Sequence, residues 1–573
     1  MLDSTAAPNG VRKVLLVFPP TRVGSEQILA CMPPLGALYL AATFRRRYEV
    51  QILDATAEGF SNRRILDDGF RQVGLNPEQI KERIQQFRPD VVGVTTLFSS
   101  SYPCVEEVLR VAKEVDPGIV TVVGGTHPSF LARNCLEQNP NLDFIVIGEG
   151  EMSGLELLDR LNAGQGYDGI DGLAWRQDGD VRITPKTTFI EDLDSLPWPA
   201  RDLVDFEVYA SANRAHGVYS KEPVTTTIQS SRGCPAKCTF CSSMRFWGQK
   251  YRGRSADSVL GEILQVRNTY GVREFQFEDD NLTMDRKRAK HLFQAMIDRK
   301  LDIVWSTPNG VAMWTLDEEM LTLMKKAGCY EVTLAFESGN QEVLRDVIKK
   351  PTNLKHAEKV VAAVKKVGLD HNAFFIMGFP GETKEQMKES YNLAKRLKLQ
   401  SAWFFVANPL PGTELYEQCN EKGLIREGFD FTNTAYTRSA FNTPEWASGE
   451  VEKLVQSSLL KIQLWSHLRQ PIHHLKRYLA RPEWTLELGI LLSKRMWRWM
   501  TKLRSSEPVL MHPSFTPTGT APAPDGSSIV VERRNAARDA ARRPADVVVD
   551  VHVPVRFEDP AASASASTAT APA

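Results

Sequence analysis

Short apolar runs recur along the first part of the chain, each followed by a stretch with helical spacing. They are Val14 to Phe18, Val50 to Leu53, Val91 to Val94, Ile119 to Val123 and Phe144 to Ile147. Near-continuous β-branched runs suit strands buried on both faces, and intervening helices suit right-handed crossovers. The pattern therefore predicts an α/β fold beginning with a doubly wound five-stranded parallel sheet over residues 12–162. Residues 163–222 carry turn signals and read as a connector, with a hairpin around Asp178-Gly179. Alternation resumes over residues 223–430, with strands expected at Val224 to Gln229, Glu274 to Phe277, Ile303 to Ser306, Glu331 to Ala335, Ala373 to Met377 and Ala402 to Ala407. Helices are expected between them, at Asp257 to Thr269, Arg286 to Asp298, Glu318 to Lys326, Lys355 to Lys366 and Glu385 to Arg396. Six such units fall short of an eight-stranded barrel, so a partial (β/α)6 barrel is predicted. A helical C-terminal region, residues 431–505, includes an amphipathic helix on which Val451, Leu454, Val455, Leu459, Ile462 and Trp465 share a face. Residues 506–573 turn to Pro, Ala, Ser and Thr, cannot bury enough apolar surface to offset ordering entropy, and are expected to be disordered.

Acidic and basic residues number 70 each. With no net field to recruit polyanions, nucleic acid is excluded as a general partner. The stretch Gln27 to Phe44 is interrupted by Pro33-Pro34 and Gly36, so it reads as loop and buried helix and not as a membrane span. Together with the lack of a secretory signal pattern, this predicts a cytoplasmic protein. The segment Trp484 to Leu503 mixes tryptophans with Lys494, Arg495, Arg498 and Lys502. Packing on the barrel with snorkelling basic chains is the favoured reading, and peripheral membrane contact is the alternative.

In open parallel sheets the ligand lies beyond the carboxyl ends of the strands. There the chain places Pro19-Pro20, Thr95-Thr96 with Ser99, Gly124-Gly125-Thr126-His127 and Gly148-Glu149-Gly150-Glu151. The glycine fingerprint of a dinucleotide site is missing after the first run, which argues against a nicotinamide or flavin dinucleotide.

Cys234, Cys238 and Cys241 lie within eight residues, directly after the first strand of the second region, while the other cysteines are isolated. Three thiolates so spaced can hold an iron-sulfur cube and leave one iron open to a further ligand. Zinc is the competing reading, but structural zinc needs four ligands and no nearby Cys or His supplies the fourth. Phe275 to Asn281 sets Asp279 and Asp280 at a strand's carboxyl end, where they suit either an ammonium ligand or the capping of the next helix by Asp280 or Asn281. Leu334 to Gly339 sets Glu337 and Ser338 in the same way. Gly378 to Thr383, Pro409 to Thr413 and Arg232-Gly233 read chiefly as turns and backbone closure.

The segment Cys234 to Cys241, with Phe240 as its aromatic, resembles the signature of the radical S-adenosylmethionine enzymes. The preceding doubly wound region is similar to the cobalamin-binding domain of the subgroup that joins such a domain to the radical barrel. The resemblance implies a [4Fe-4S] cluster on Cys234, Cys238 and Cys241, and S-adenosylmethionine bound beside it with Phe240, Asp279, Asp280, Glu337 and Ser338 as contacts. It also implies cobalamin held at Thr95, Thr96, Ser99, Gly124, Gly125, His127 and Gly150. Many cobalamin domains supply a cobalt-binding histidine from D-x-H-x-x-G; no such motif occurs here, so His127 is expected to line the cobalamin face without binding cobalt. The implied activity is reductive cleavage of S-adenosylmethionine by the cluster, fed by an external low-potential electron donor, to give a 5'-deoxyadenosyl radical. Methyl transfer from cobalamin to an unactivated carbon of a small-molecule substrate follows. The aromatic C-terminal region favours an apolar substrate. No catalytic residue is assigned. Two other functions remain open at this point: a cobalamin-dependent cyclisation or rearrangement without methyl transfer, as in the anaerobic magnesium-protoporphyrin monomethyl ester cyclases, and a non-enzymatic cobalamin or metal sensor.

Overall fold

The computed structural model describes residues 10–480 apart from 25, 26, 28, 213, 217 and 218. These lie in one unit, Met1–Pro517. The basic-aromatic segment Trp484 to Leu503 and the tail 506–573 fall outside the described residues.

Strands β1 (Lys13–Phe18), β2 (Thr21–Gly24), β3 (Glu49–Asp54), β4 (Arg63–Ile65), β5 (Phe70–Val73), β6 (Val91–Thr96), β7 (Val120–Gly125), β8 (Phe144–Val146), β9 (Leu173–Gln177) and β10 (Asp180–Ile183) build the first half. The main sheet runs β10-β9-β8-β7-β6-β1-β3, parallel from β8 to β3. The five apolar runs are thus its parallel strands, as their two-sided burial requires. The hairpin at Asp178-Gly179 forms, but it does not stand apart in a connector. β9 pairs antiparallel with β8, extending the sheet to seven strands. Trp175, on β9, is buried in the same apolar cluster as Phe144 and Leu173, and that burial is what fixes the hairpin to the edge. Pairing of β2 and β4 with β5 adds a small antiparallel sheet that the apolar pattern does not foreshadow.

The second half comprises β11 (Thr225–Ile228), β12 (Ser231–Arg232), β13 (Arg252–Gly253), β14 (Glu274–Phe277), β15 (Val304–Val311), β16 (Cys329–Glu337), β17 (Asp370–Met377) and β18 (Ser401–Val406). Its sheet is parallel in the order β11-β14-β15-β16-β17-β18. Along each strand, side chains alternate between the helix layer and the inner face. Phe336, Phe375 and Phe404 stack across β16, β17 and β18 on the helix side, with ring centroids 5.3 and 5.2 Å apart. Phe374, Trp403 and Phe405 consequently face inward and are half-buried. The helix Ser448–Arg469 packs on β18 and buries Val451, Val455, Leu459 and Ile462 in the core that contains Phe404. Leu468 near its end is 84% exposed. Leu459→Ala should therefore cost about 2–5 kcal/mol and Leu468→Ala no more than about 0.5 kcal/mol, read as the shift in urea-unfolding midpoint.

Candidate cofactor site

The cysteine loop leaves β12 through Gly233, at φ 82°, where a side chain would press on the Lys250 carbonyl. The Thr239 N–H donates to the Ile348 carbonyl at 2.9 Å, and the Leu415 N–H donates to the Thr239 carbonyl at 2.8 Å, so the loop is held from two sides. Phe240 sits 6.1 Å from the Phe379 ring and packs on the barrel core. Burial pushes the Cys238 thiol up to about 11 and the Cys241 thiol up to about 12. Among the described residues no three His, Cys, Asp or Glu side chains gather closely enough to hold a single metal ion. A cluster, wider than one ion, spaces its thiolates further apart.

Asp279 is buried and accepts from the Ser230 N–H and hydroxyl, at 3.1 and 2.7 Å, and from the Ser231 hydroxyl. Its carboxylate therefore joins β14 to the start of the cysteine loop. Asp280 lies close enough to Cys234 and Cys241 to oppose their ionisation. Neither Asp280 nor Asn281 caps the following helix: Asp285 does, accepting from the Arg288 N–H at 3.0 Å. Asp280 lies instead beside Ser243 and the Gly233 N–H at the cysteine loop, and the Asn281 Oδ1 is buried without a partner. Glu337 follows a register shift at the end of β16 and has φ 67°, a left-handed backbone unusual for glutamate. The buried Ser338 hydroxyl accepts from the Asn340 N–H at 3.2 Å.

On the first sheet, β6 and β7 pair Thr95 with Gly124 and Thr96 with Gly125, so the structure brings these four together at the carboxyl edge. Gly125 has φ 105°, and a Cβ there would run into the Thr96 carbonyl. Ser99 begins the turn after β6, while Leu97 and Phe98 between them are exposed. A bare glycine edge beside exposed apolar side chains fits the flat, largely apolar face of a corrin. Gly150 opens the helix after β8, packed near Leu40. His127 differs from the others: it is buried, its ring lies 4.2 Å from that of Tyr102, and burial drives its imidazole down to about 3. It is a neutral side chain inside the domain in this conformation.

The sequence reading missed how the two halves are joined. Arg232 acts through its side chain and not only its backbone. It donates to Glu149 at 3.0 Å and to Glu151 at 2.6 Å. Arg252 donates to both oxygens of Glu149, at 2.8 and 3.0 Å, and all four residues are buried. Burial works to raise the Glu151 carboxyl, but the Arg232 charge outweighs it and holds the group below its ordinary range. The acidic residues follow β8 at the carboxyl edge of the first sheet, and the arginines bracket the cysteine loop. His216 was also missed. Its N–H donates to the Gln276 side chain at 2.8 Å, the Gln276 amide donates back to its carbonyl at 2.9 Å, and its Nδ1 lies 2.8 Å from Glu278. Partial burial opposes a charge on His216, but Glu278 favours it more strongly and raises the group. Because Phe275 and Phe277 lie in the helix-side core, Gln276 and Glu278 face inward, opposite the aromatic strip of Phe374, Trp403 and Phe405.

Anaerobic reconstitution should load one iron-sulfur cluster. Replacing Cys234, Cys238 or Cys241 by Ala should abolish it, while Cys31→Ala, Cys104→Ala and Cys419→Ala should retain wild-type iron and sulfide content by chemical analysis.

The B12 binding domain model matches residues 22–158, and the radical SAM superfamily model matches residues 228–394. The cytidylyl-2-hydroxyethylphosphonate methyltransferase of Streptomyces wedmorensis is 36% identical over 474 residues, 77% of this chain and 88% of that one. The anaerobic magnesium-protoporphyrin IX monomethyl ester cyclase of Rubrivivax gelatinosus is 30% identical over 451 residues, 78% and 76% of the two chains. The solved structure of the cobalamin-dependent S-adenosylmethionine radical enzyme OxsB, with aqua-cobalamin and S-adenosylmethionine bound, matches with TM-score 0.60 at 15% identity over 87% of this chain and 82% of that one, a likeness of fold. With both domains matched in order and the cysteine loop at the end of the first barrel strand, the chain belongs to the cobalamin-dependent radical S-adenosylmethionine methyltransferase family, whose cofactors are cobalamin, a [4Fe-4S] cluster and S-adenosylmethionine.

Proposed function

We propose that this enzyme methylates an unactivated carbon of a small molecule that has both a polar group and an apolar portion. The observation that carries the reading is the buried junction of Glu149 and Glu151 with Arg232 and Arg252, which fastens the cobalamin edge to the cysteine loop and so sets both cofactors against one space. The cluster and S-adenosylmethionine supply the substrate radical, and cobalamin supplies the methyl group. The chain's own part is to orient the substrate and keep out competing hydrogen donors. Cys234, Cys238 and Cys241 would ligate the cluster, with Phe240, Asp280, Glu337 and Ser338 beside S-adenosylmethionine and Asp279 bracing the loop. Thr95, Thr96, Ser99, Gly124, Gly125 and Gly150 would line cobalamin. Gln276, Glu278 and His216 offer hydrogen bonds from one side of the inner face, and Phe374, Trp403 and Phe405 offer apolar contact from the other. An external low-potential donor supplies the electron.

The test is incubation of the reconstituted enzyme with hydroxocobalamin, reductant and S-adenosylmethionine carrying a deuterated methyl group. Nucleotide-linked phosphonates, tetrapyrroles and hopanoids are the first substrates to offer, since these are what relatives' names specify. A product carrying the deuterated methyl group is expected. Turnover without methyl incorporation would instead favour cyclisation, the reading that the identity to the cyclase supports.

We also infer peripheral contact with an anionic membrane surface. Leu464, Leu468, Ile472, Leu475 and Leu479 are exposed along Ser448–Arg469 and Pro471–Ala480, and no acidic residue occurs from Lys453 to Pro482. Among the described residues no helix is long and apolar enough to cross a membrane. The protein should float with phosphatidylglycerol vesicles and not with phosphatidylcholine vesicles, and Leu468→Gln with Ile472→Gln should abolish flotation.

A further inference from the structure

The middle of the cysteine loop is fastened to the far side of the barrel. Besides its backbone bond to Ile348, Thr239 donates its hydroxyl to the Val347 carbonyl at 3.1 Å. Those acceptors lie at the exit of a π-helical turn, Val343–Val347, a geometry concentrated at functional sites. Two residues beyond that anchor the chain delivers Lys350, which is only 8% exposed. Its ammonium lies 2.7 Å from Glu337 and 5.8 Å from the Trp314 ring.

An ammonium carries three N–H donors. Among the described residues, Glu337 is the one hydrogen-bond acceptor found for that of Lys350. A buried cation with unused donors is costly unless something anionic meets it. Thr239, which the two carbonyls just before Lys350 hold, directly follows Cys238, and Cys234 and Cys238 lie close enough to Lys350 to feel its charge. Burial works against the ammonium, but Glu337 and the sulfurs of Cys238 and Cys241 outweigh it and keep Lys350 charged. Asp280 brings a further carboxylate toward Cys234 and Cys241. A cluster bound here adds thiolate charge to carboxylate charge in a poorly solvated place, where one cation has a large effect.

We propose that Lys350 is a positioning residue of the iron-sulfur cluster: its ammonium faces the cluster held by Cys234, Cys238 and Cys241, favours the reduced state, and fixes the Glu337 carboxylate at the adjoining strand end. This rests on the cluster reading above. In the step concerned, the oxidised cluster accepts one electron from an external low-potential protein donor, and no bond forms or breaks. Charge near the cluster and hydrogen bonds to its sulfurs are among the levers that set such potentials.

The test is a redox titration of the reconstituted holoenzyme followed by electron paramagnetic resonance, with iron and sulfide measured in parallel. If the wild type binds no cluster, the cluster reading itself fails and takes this inference with it. With the cluster present, Lys350→Met is expected to retain wild-type iron content and shift the midpoint to more negative potential, and Lys350→Arg to restore most of the difference. An unchanged midpoint in fully loaded Lys350→Met overturns the inference. Should Lys350→Met lose its iron, Lys350→Gln decides the matter, since it removes the cation and keeps an N–H donor for Glu337. A more negative midpoint there supports the role of Lys350, and no shift overturns it.

Discussion

Four buried charges hold this molecule in its working form. Glu149 receives Arg252 through both oxygens and Arg232 through one, its second oxygen also accepts from the Ile190 N–H at 2.9 Å, and Glu151 takes the other arm of Arg232. Burying such ions is expensive, and the pairing returns the cost only while every partner is present. Removing Arg232 would take from buried Glu151 the arginine that donates to it, a loss of about 3–5 kcal/mol by the usual behaviour of broken buried pairs. The network therefore acts less as a source of stability than as a specification: it admits one arrangement of the carboxyl edge of the first sheet against the cysteine loop. Arg232 further lies over the Tyr39 and Trp247 rings, at 5.2 and 5.0 Å, so its orientation is set by aromatic faces as well as by charge.

A second latch also joins the two halves. Arg22, buried on β2, donates to Asn433 at 2.7 Å and to the Thr432 carbonyl, and it stacks on Phe70 at 3.9 Å. The small sheet of β2, β4 and β5 thus has a purpose that its short, polar strands conceal. It presents a cation from the first half to a turn of the second. Gly412 adds a steric contact, since any side chain there would strike the Phe130 ring. Charge and shape together leave the two cofactor-binding halves little freedom to slide.

What the sequence disclosed follows from how each feature is encoded. Strand burial writes itself as apolar runs, so β1, β3, β6, β7, β8 and the barrel strands are legible, as are helices such as Arg286–Asp298 and Glu318–Lys326, whose periodicity is local. The cysteine loop is legible because its ligands are neighbours in the chain. The hairpin of β9 and β10 was legible as a hairpin but not as part of the sheet, because its turn signals are the same whether it docks or stands free. Arg232 and Glu149 lie 83 residues apart, and Lys350 lies 13 from Glu337, with no periodicity linking either pair. Ion pairs of this kind exist only after folding brings them together. His127 illustrates the converse: the sequence places a histidine in a ligand-bearing turn, but not that its ring rests against Tyr102.

The backbone at Glu337 bears on which amino acids mutation can place there. A left-handed φ of 67° excludes β-branched residues almost entirely and is tolerated best by glycine, asparagine and aspartate. The buried ammonium of Lys350 imposes a separate demand, for a negative charge within reach. Glycine and asparagine satisfy the first condition and fail the second. Aspartate satisfies both in kind but is one methylene short of the reach that glutamate has. Drift at this position is therefore confined to a single acidic alternative, and even that one requires the Lys350 side chain to follow it inward.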